Sequence, residues 1–250
     1  MKYNLRVVAS IEARMGYSRL PGKVLKEFGS ETALSLLIKR LKKCQNLDDI
    51  VVATTIEKKD EPIVDWCKKN EIDFYRGSEK DVLDRVVKAH EYMKSDVVVE
   101  ITGDCPFTDP EIVDLAIETF FINDVDVVTN CGNHLTWPLG QYVQVFPLRL
   151  LKKVNENITD EKVHEHVSLY FYENPKSYRI FDIVAPRRWK SPELRLVLDY
   201  EEDFAFLSKL YGFLSQKYGD DFGIEEIISF LKEFPEYLNI NKHCIEKKAR

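Results

Sequence analysis

The chain has 250 residues, 44% of them hydrophobic, with 14 Phe and 12 Tyr, enough to bury a full core and too apolar for a disordered chain. Its 36 basic and 42 acidic residues leave a net charge of −6, which disfavours generic nucleic-acid binding and makes any basic site local. No apolar run approaches membrane-spanning length, and the one near the N-terminus is broken by Glu12 and Arg14, so neither a membrane span nor a signal peptide is expected. Cys44, Cys67, Cys105, Cys131 and Cys244 are odd in number and lack a paired spacing, as in a cytoplasmic protein with reduced thiols and no structural zinc.

The first strand, Leu5 to Ile11, runs into a loop that ends near Leu25 and carries Arg14, Arg19 and Lys23, with turns at Gly16, Pro21 and Gly22. From Arg14 to Lys23 there is no acid, so the loop asks for an anion. Ligands of open α/β sheets gather at the carboxyl ends of strands, which suits a polyphosphate there. Leu34, Leu37, Ile38 and Leu41 then mark an amphipathic helix. A strand at Ile50–Ala53, a helix at Glu61–Lys69, a short strand at Asp73–Tyr75 and a helix striped by Val82, Val86, Ala89 and Met93 follow. Val97–Ile101 is a fourth strand, Pro110 opens a helix, and Val125–Thr129 is a fifth strand. Such alternation predicts an α/β fold, a mostly parallel sheet with helices on both faces.

Beyond Asn130 the rhythm changes. Gln141–Phe146 reads as a strand, Pro147–Asn155 and Lys162–Glu173 as helices, Tyr178–Val184 as β-like and Leu194–Leu198 as another strand. Two further helices are expected, one around Leu207–Leu214 and one at Ile224–Phe234. No interdomain linker is evident, so residues 1–250 are expected to form one domain, with 131–190 as an insertion on a sheet edge that caps the site or pairs subunits. No Gly-x-Gly-x-x-Gly follows the first strand, which argues against a dinucleotide-binding oxidoreductase.

Asp104 follows the strand Val97–Ile101 and Asp199 follows Leu194–Leu198, so both belong at the carboxyl edge of the sheet. Two carboxylates at neighbouring strand ends suit one Mg²⁺, a hard cation that takes few protein oxygens and completes its shell with phosphate. With the cationic loop they describe a metal–triphosphate site fit for phosphoryl or nucleotidyl transfer, with no covalent nucleophile needed. His164 and His166 stand two apart and cannot share a helix face, so a metal pair is poor geometry, while one of them facing a substrate is reasonable.

The run Ala13-Arg14-Met15-Gly16-Tyr17-Ser18-Arg19-Leu20-Pro21-Gly22-Lys23 resembles the signature loop of the cytidylyltransferases that activate sugar acids, in particular the SpsF-like branch of spore-coat polysaccharide biosynthesis. The likeness continues through Val51–Thr55, Arg76–Glu79, Asp81–Arg85, Ile101–Pro106, Glu165–Val167 and Leu196–Asp199. It implies a nucleotide-diphospho-sugar transferase-like fold and transfer of CMP from CTP to a small glycan precursor, with Mg²⁺ required and a homodimer formed through the insertion. By the same resemblance, Arg14, Lys23 and Asp104 are catalytic. Ala13, Gly16, Ser18, Arg19, Gly77, Ser78, Arg85 and Thr102 join Arg14 and Lys23 in holding the nucleotide. Asp104 and Asp199 carry the metal, and Gln141, Tyr142, Gln144 and His166 meet the acceptor.

Three positions depart from that pattern. Thr102 stands where sugar-acid-activating relatives often have Gln, Ile56 follows Thr54-Thr55 where an acid is common, and Gly140-Gln141-Tyr142-Val143-Gln144 replaces two carboxylates by neutral groups. Loss of local negative charge on that strand predicts an acceptor more anionic than usual, or differently substituted.

Overall fold

The near-continuous apolar strands form one seven-stranded sheet in the computed structural model, which describes residues 3–132 and 134–245. In chain order the strands are β1 (Val7–Glu12), a small hairpin of β2 (Glu27–Phe28) and β3 (Glu31–Thr32), β4 (Asp49–Thr55), β5 (Asp73–Gly77), β6 (Val97–Thr102), β7 (Val127–Thr129), β8 (Gln144–Pro147) and β9 (Ile180–Asp182). The sheet order is β5-β4-β1-β6-β8-β7-β9. Only β8 runs against its neighbours; the other pairings are parallel. The fold is therefore the mostly parallel α/β architecture expected from the sequence.

Strand alternation divides the core into two layers. Val7, Ala9, Ile11, Val52, Val97, Val99 and Ile101 face one layer, closed by α1 (Ala33–Leu41), α2 (Glu61–Lys69), α4 (Pro110–Ile122), α8 (Glu201–Tyr218) and α9 (Ile224–Glu233). Val8, Val51, Ala53, Val98 and Phe146 face the other, covered by α3 (Val82–Tyr92), α5 (Leu148–Asn157), α6 (Glu161–Glu165) and α7 (Leu169–Glu173). Local signals start these helices where the sequence places them: Thr32, Asp81 and Asp109 accept from Ser35, Asp84 and Glu111 backbone N–H groups, and Pro110 sits in the first turn of α4.

Three expectations are corrected. Leu194–Leu198 is extended but joins no sheet: Leu139 donates to Leu194 O and accepts from Leu196 N, and Leu198 N donates to Asp104 O at 2.8 Å, so its partners are loops too short for a ladder. Lys162–Glu173 is not one helix, because the backbone turns extended at His166 (φ −126°, ψ 95°) and separates α6 from α7. The region 131–190 is not confined to the edge, since its β8 lies inside the sheet between β6 and β7 and only β9 ends it.

His90 illustrates how the α3 layer is sealed. It is wholly buried, its Nδ1–H meets Ser95 Oγ at 2.7 Å, and burial lowers its pKa to about 3. The unfolded chain takes up this proton first, near pH 6.5, so the stability is present above that pH and drains away as pH falls toward 3. Urea unfolding should show wild type losing about 1.4 kcal/mol per pH unit from this group between pH 6.5 and 4.5, and His90→Leu a shallower slope. Equal slopes would contradict a neutral buried imidazole.

Candidate active site

The loop after β1 is folded so that its lysine turns inward. Ala13 N bonds to Ala53 O, Gly22 N bonds back to Met15 O at 2.9 Å, and Gly22 adopts φ +70°, a conformation open to glycine. The next turn, Lys23–Leu25, buries Lys23 to 1% exposure, while Gly16, Ser18 and Arg19 remain at the surface. Asp60, fully buried at the start of α2, accepts from Met15 N and from the Thr55 hydroxyl, and so holds the loop against β4.

Lys23 Nζ lies 2.6 Å from Asp104 Oδ2 and 2.6 Å from Asp199 Oδ1, with the Tyr17 ring centred 4.0 Å away. Asp104 reaches this point through Gly103, whose N–H donates to Glu12 O at 3.0 Å; a Cβ there would meet that carbonyl at 2.6 Å. Burial opposes the charge on Lys23, but Asp104 and Asp199 outweigh it and raise the pKa. Burial likewise opposes charge on Asp104, and the Lys23 ammonium with hydrogen bonds from Lys23, Thr102 and Cys105 brings its pKa below the usual range. The Cys105 thiol is pushed well up by burial and by Asp104, so it stays a neutral hydrogen-bond partner.

Asp199 is held from behind. Arg19 Nη2 approaches its Oδ2 at 2.7 Å and Arg195 Nη2 at 3.4 Å. Arg195 is gripped by wholly buried Asp203 at 2.8 and 2.9 Å, and Asp203 also accepts from the backbone N–H groups of Asp199 and Tyr200 and from Asn241. Tyr17, Asp60, Arg195 and Asp203 were not foreseen as site residues. Asp60, at the N-cap of α2, and Asp203, in the first turn of α8, carry the sequence signal of a helix N-terminus, which marks their place but not their role in the site.

A cleft of about 960 Å³ opens beside this centre and is lined by Arg14, Tyr17, Arg85, Thr102, Asp104 and His166, among others. Arg14 reaches toward Glu79 at 4.0 Å. Arg85, 2% exposed, donates to Ser78 O and packs under Gly77, where any Cβ would run into it. Of the expected nucleotide residues, Arg14, Arg85 and Thr102 line this cleft, while Gly77 and Ser78 line a neighbouring pocket. The acceptor set is divided: His166 lines the cleft, whereas Gln141 is fully buried and bonded to Asp109 N and Phe107 O, which removes it from any ligand. Tyr142 packs on the opposite core layer, and Gln144 accepts from the Tyr172 hydroxyl behind the cleft.

Residues 8–232 match a family model described as cytidylyltransferase. An uncharacterized protein of Methanocaldococcus jannaschii is 40% identical over 248 residues, 98% of each chain. The spore coat polysaccharide biosynthesis protein SpsF of Bacillus subtilis is 36% identical over 90% of this chain and 94% of its own. The structure of a cytidylyltransferase from Leptospira borgpetersenii superposes with a TM-score of 0.88 at 30% identity, covering 98% of this chain and 100% of that one. By sequence and by fold, this chain belongs to the cytidylyltransferase family and is a nucleotidyltransferase.

Proposed function

We propose that the enzyme transfers the cytidylyl group of CTP to an oxygen of a sugar acid or related glycan precursor, releasing pyrophosphate, with Mg²⁺ as its metal. The observation that carries this reading is the Lys23 ammonium held 2.6 Å from both Asp104 and Asp199 at the edge where Arg14 and Arg19 also emerge. Family membership supports the cytidylyl donor, and the relative named for spore coat polysaccharide biosynthesis supports a glycan precursor.

The donor set fits a hard dication: both aspartates offer only oxygen, and one oxygen of each already converges on a single cation. Asp104 and Asp199 would hold Mg²⁺, which when bound supplies positive charge to the triphosphate oxygens. Arg14, Arg19 and Lys23 bind the phosphates, and Arg14 and Lys23 neutralise the charge that grows on the transferring group. Ser18, at the surface of the same loop, adds a hydroxyl to that set. Ala13, Gly16, Gly77, Ser78, Arg85 and Thr102 frame the nucleoside, and His166 faces the acceptor. Asp203 and Arg195 orient Asp199.

A homodimer is part of this reading. The edge strand β9 exposes Phe181 (39%), and Val184 (57%) and Leu135 (51%) lie near it in the same region, an apolar set of the kind a subunit covers. Among the described residues no helix is long and apolar enough to cross a membrane.

With CTP and a panel of sugar acids, sugar phosphates and neutral sugars, pyrophosphate release should appear with at least one acid. Turnover only with UTP, GTP or ATP would contradict the donor assignment. Asp104→Asn and Lys23→Ala should each lower kcat by about 10²-fold or more, since each removes charge stabilisation at the transferring phosphate; near-normal rates in both would overturn the site. Light scattering should give twice the mass of one chain, and Phe181→Asp with Val184→Asp should halve it.

A further inference from the structure

Two acids interrupt the apolar face that packs against α3. Ser10 of β1 is paired with Glu100 of β6, and Glu12 with Thr102, so Glu12 and Glu100 rise from the same face of adjacent strands. Glu100 is 6% exposed, and Glu12, at the strand end, lines the cleft. Glu12 Oε1 and Glu100 Oε2 are buried and meet no donor, on adjacent strands whose register makes the two side chains diagonal neighbours. Carboxylates are acceptors only, so the two can satisfy one another only with a proton on one of them.

The deeper group keeps that proton. Burial and then the Glu12 charge push the Glu100 pKa well up. Burial also raises Glu12, to about 7, while Arg85 restrains the rise. The charged groups around Glu12 are Arg85 from α3, Glu100 from β6, Asp104 from the turn after β6, and Arg14 from the loop after β1. Glu100 is therefore the partner that holds the proton and can donate it toward Glu12, the more readily ionised of the two, which keeps an oxygen free to accept.

Two other groups in the cleft are poorly suited to that task. Both ring nitrogens of His164 face acceptors, Asp81 Oδ1 and Ile158 O, each at 2.7 Å, which favours the doubly protonated ring. Asp104 is held ionised by Lys23 and is a weak base.

We propose, on the basis of the reaction assigned above, that Glu12 takes the proton from the acceptor hydroxyl as that oxygen attacks the α-phosphorus, with Glu100 as its positioning residue. The acceptor oxygen forms the new O–P bond. The bond from the α-phosphorus to the bridging oxygen breaks, and its electron pair leaves with pyrophosphate. The hydroxyl proton passes to Glu12 and from there to solvent through the open cleft. No oxidant or reductant enters.

The test is the pH profile of kcat, read by pyrophosphate release from CTP with the most active acceptor of the panel, or with water as acceptor, alongside ¹³C NMR of protein labelled at Glu carboxyls. Wild type should show a rising limb near pH 7 and a Glu12 resonance titrating there. Glu12→Gln should lower kcat by about 10²- to 10⁴-fold, abolish the limb and leave KM for CTP within about threefold. Glu100→Gln, which can still donate an N–H to Glu12, should retain kcat within about tenfold and keep the limb. A Glu12→Gln enzyme with more than about a tenth of wild-type kcat, or with the limb intact, overturns the assignment. Should Glu12→Gln fail to fold, a wild-type Glu12 resonance titrating below about pH 5 overturns it instead. A wild type that releases no pyrophosphate from CTP with any acceptor removes the reaction and this proposal together, an outcome distinct from an active wild type with an unimpaired Glu12→Gln.

Discussion

The site depends on one buried ammonium shared by two carboxylates. A lysine at 1% exposure carries a large desolvation penalty, which is offset here because Asp104 and Asp199 each approach it at 2.6 Å. Removing either partner would leave an incompletely compensated charge, so the arrangement ties the loop after β1 to the end of β6 and to the segment before α8. Three stretches distant in sequence are thereby pinned at one sheet edge. On the reading proposed above, a triphosphate would offer Lys23, Arg14 and Arg19 new partners and a dication would offer the aspartates theirs.

Around this centre the second tier of polar residues acts by position. Asp203 grips Arg195 and the backbone of Asp199, Asp60 holds the loop at Met15, and Tyr17 lies beneath Lys23 and Arg14. These groups fix the orientation of the charged atoms before any ligand arrives, which is what electrostatic catalysis requires. The Glu12–Glu100 pair belongs to the same tier by placement but differs in chemistry, because its members repel unless they share a proton.

The parallel Val/Ile strands and capped helices were legible because local patterns and long-range packing agree. Glu61–Lys69 is a helix with the bounds its periodicity predicts. The cationic loop was legible as well, since an acid-free run with Gly and Pro turns at a strand end has few alternatives. The run Leu194–Leu198 misled because its alternating leucines enter the main core while its backbone pairs with loops and joins no ladder, a distinction that periodicity does not carry. Gln141 misled for a different reason: the resemblance sets it against the acceptor, yet its amide satisfies buried backbone groups at Phe107 and Asp109. Arg195 and Asp203 could not be found from spacing, because their role exists only once the chain has brought them beside Asp199.

The central claim is that this edge joins a cytidylyl group to an acceptor oxygen. Mass spectrometry of the product formed from CTP tests it most directly. The account predicts a covalent CMP–acceptor adduct that accumulates one for one with pyrophosphate. Nucleotide binding with no such adduct, across acids, phosphates and neutral sugars, would contradict it.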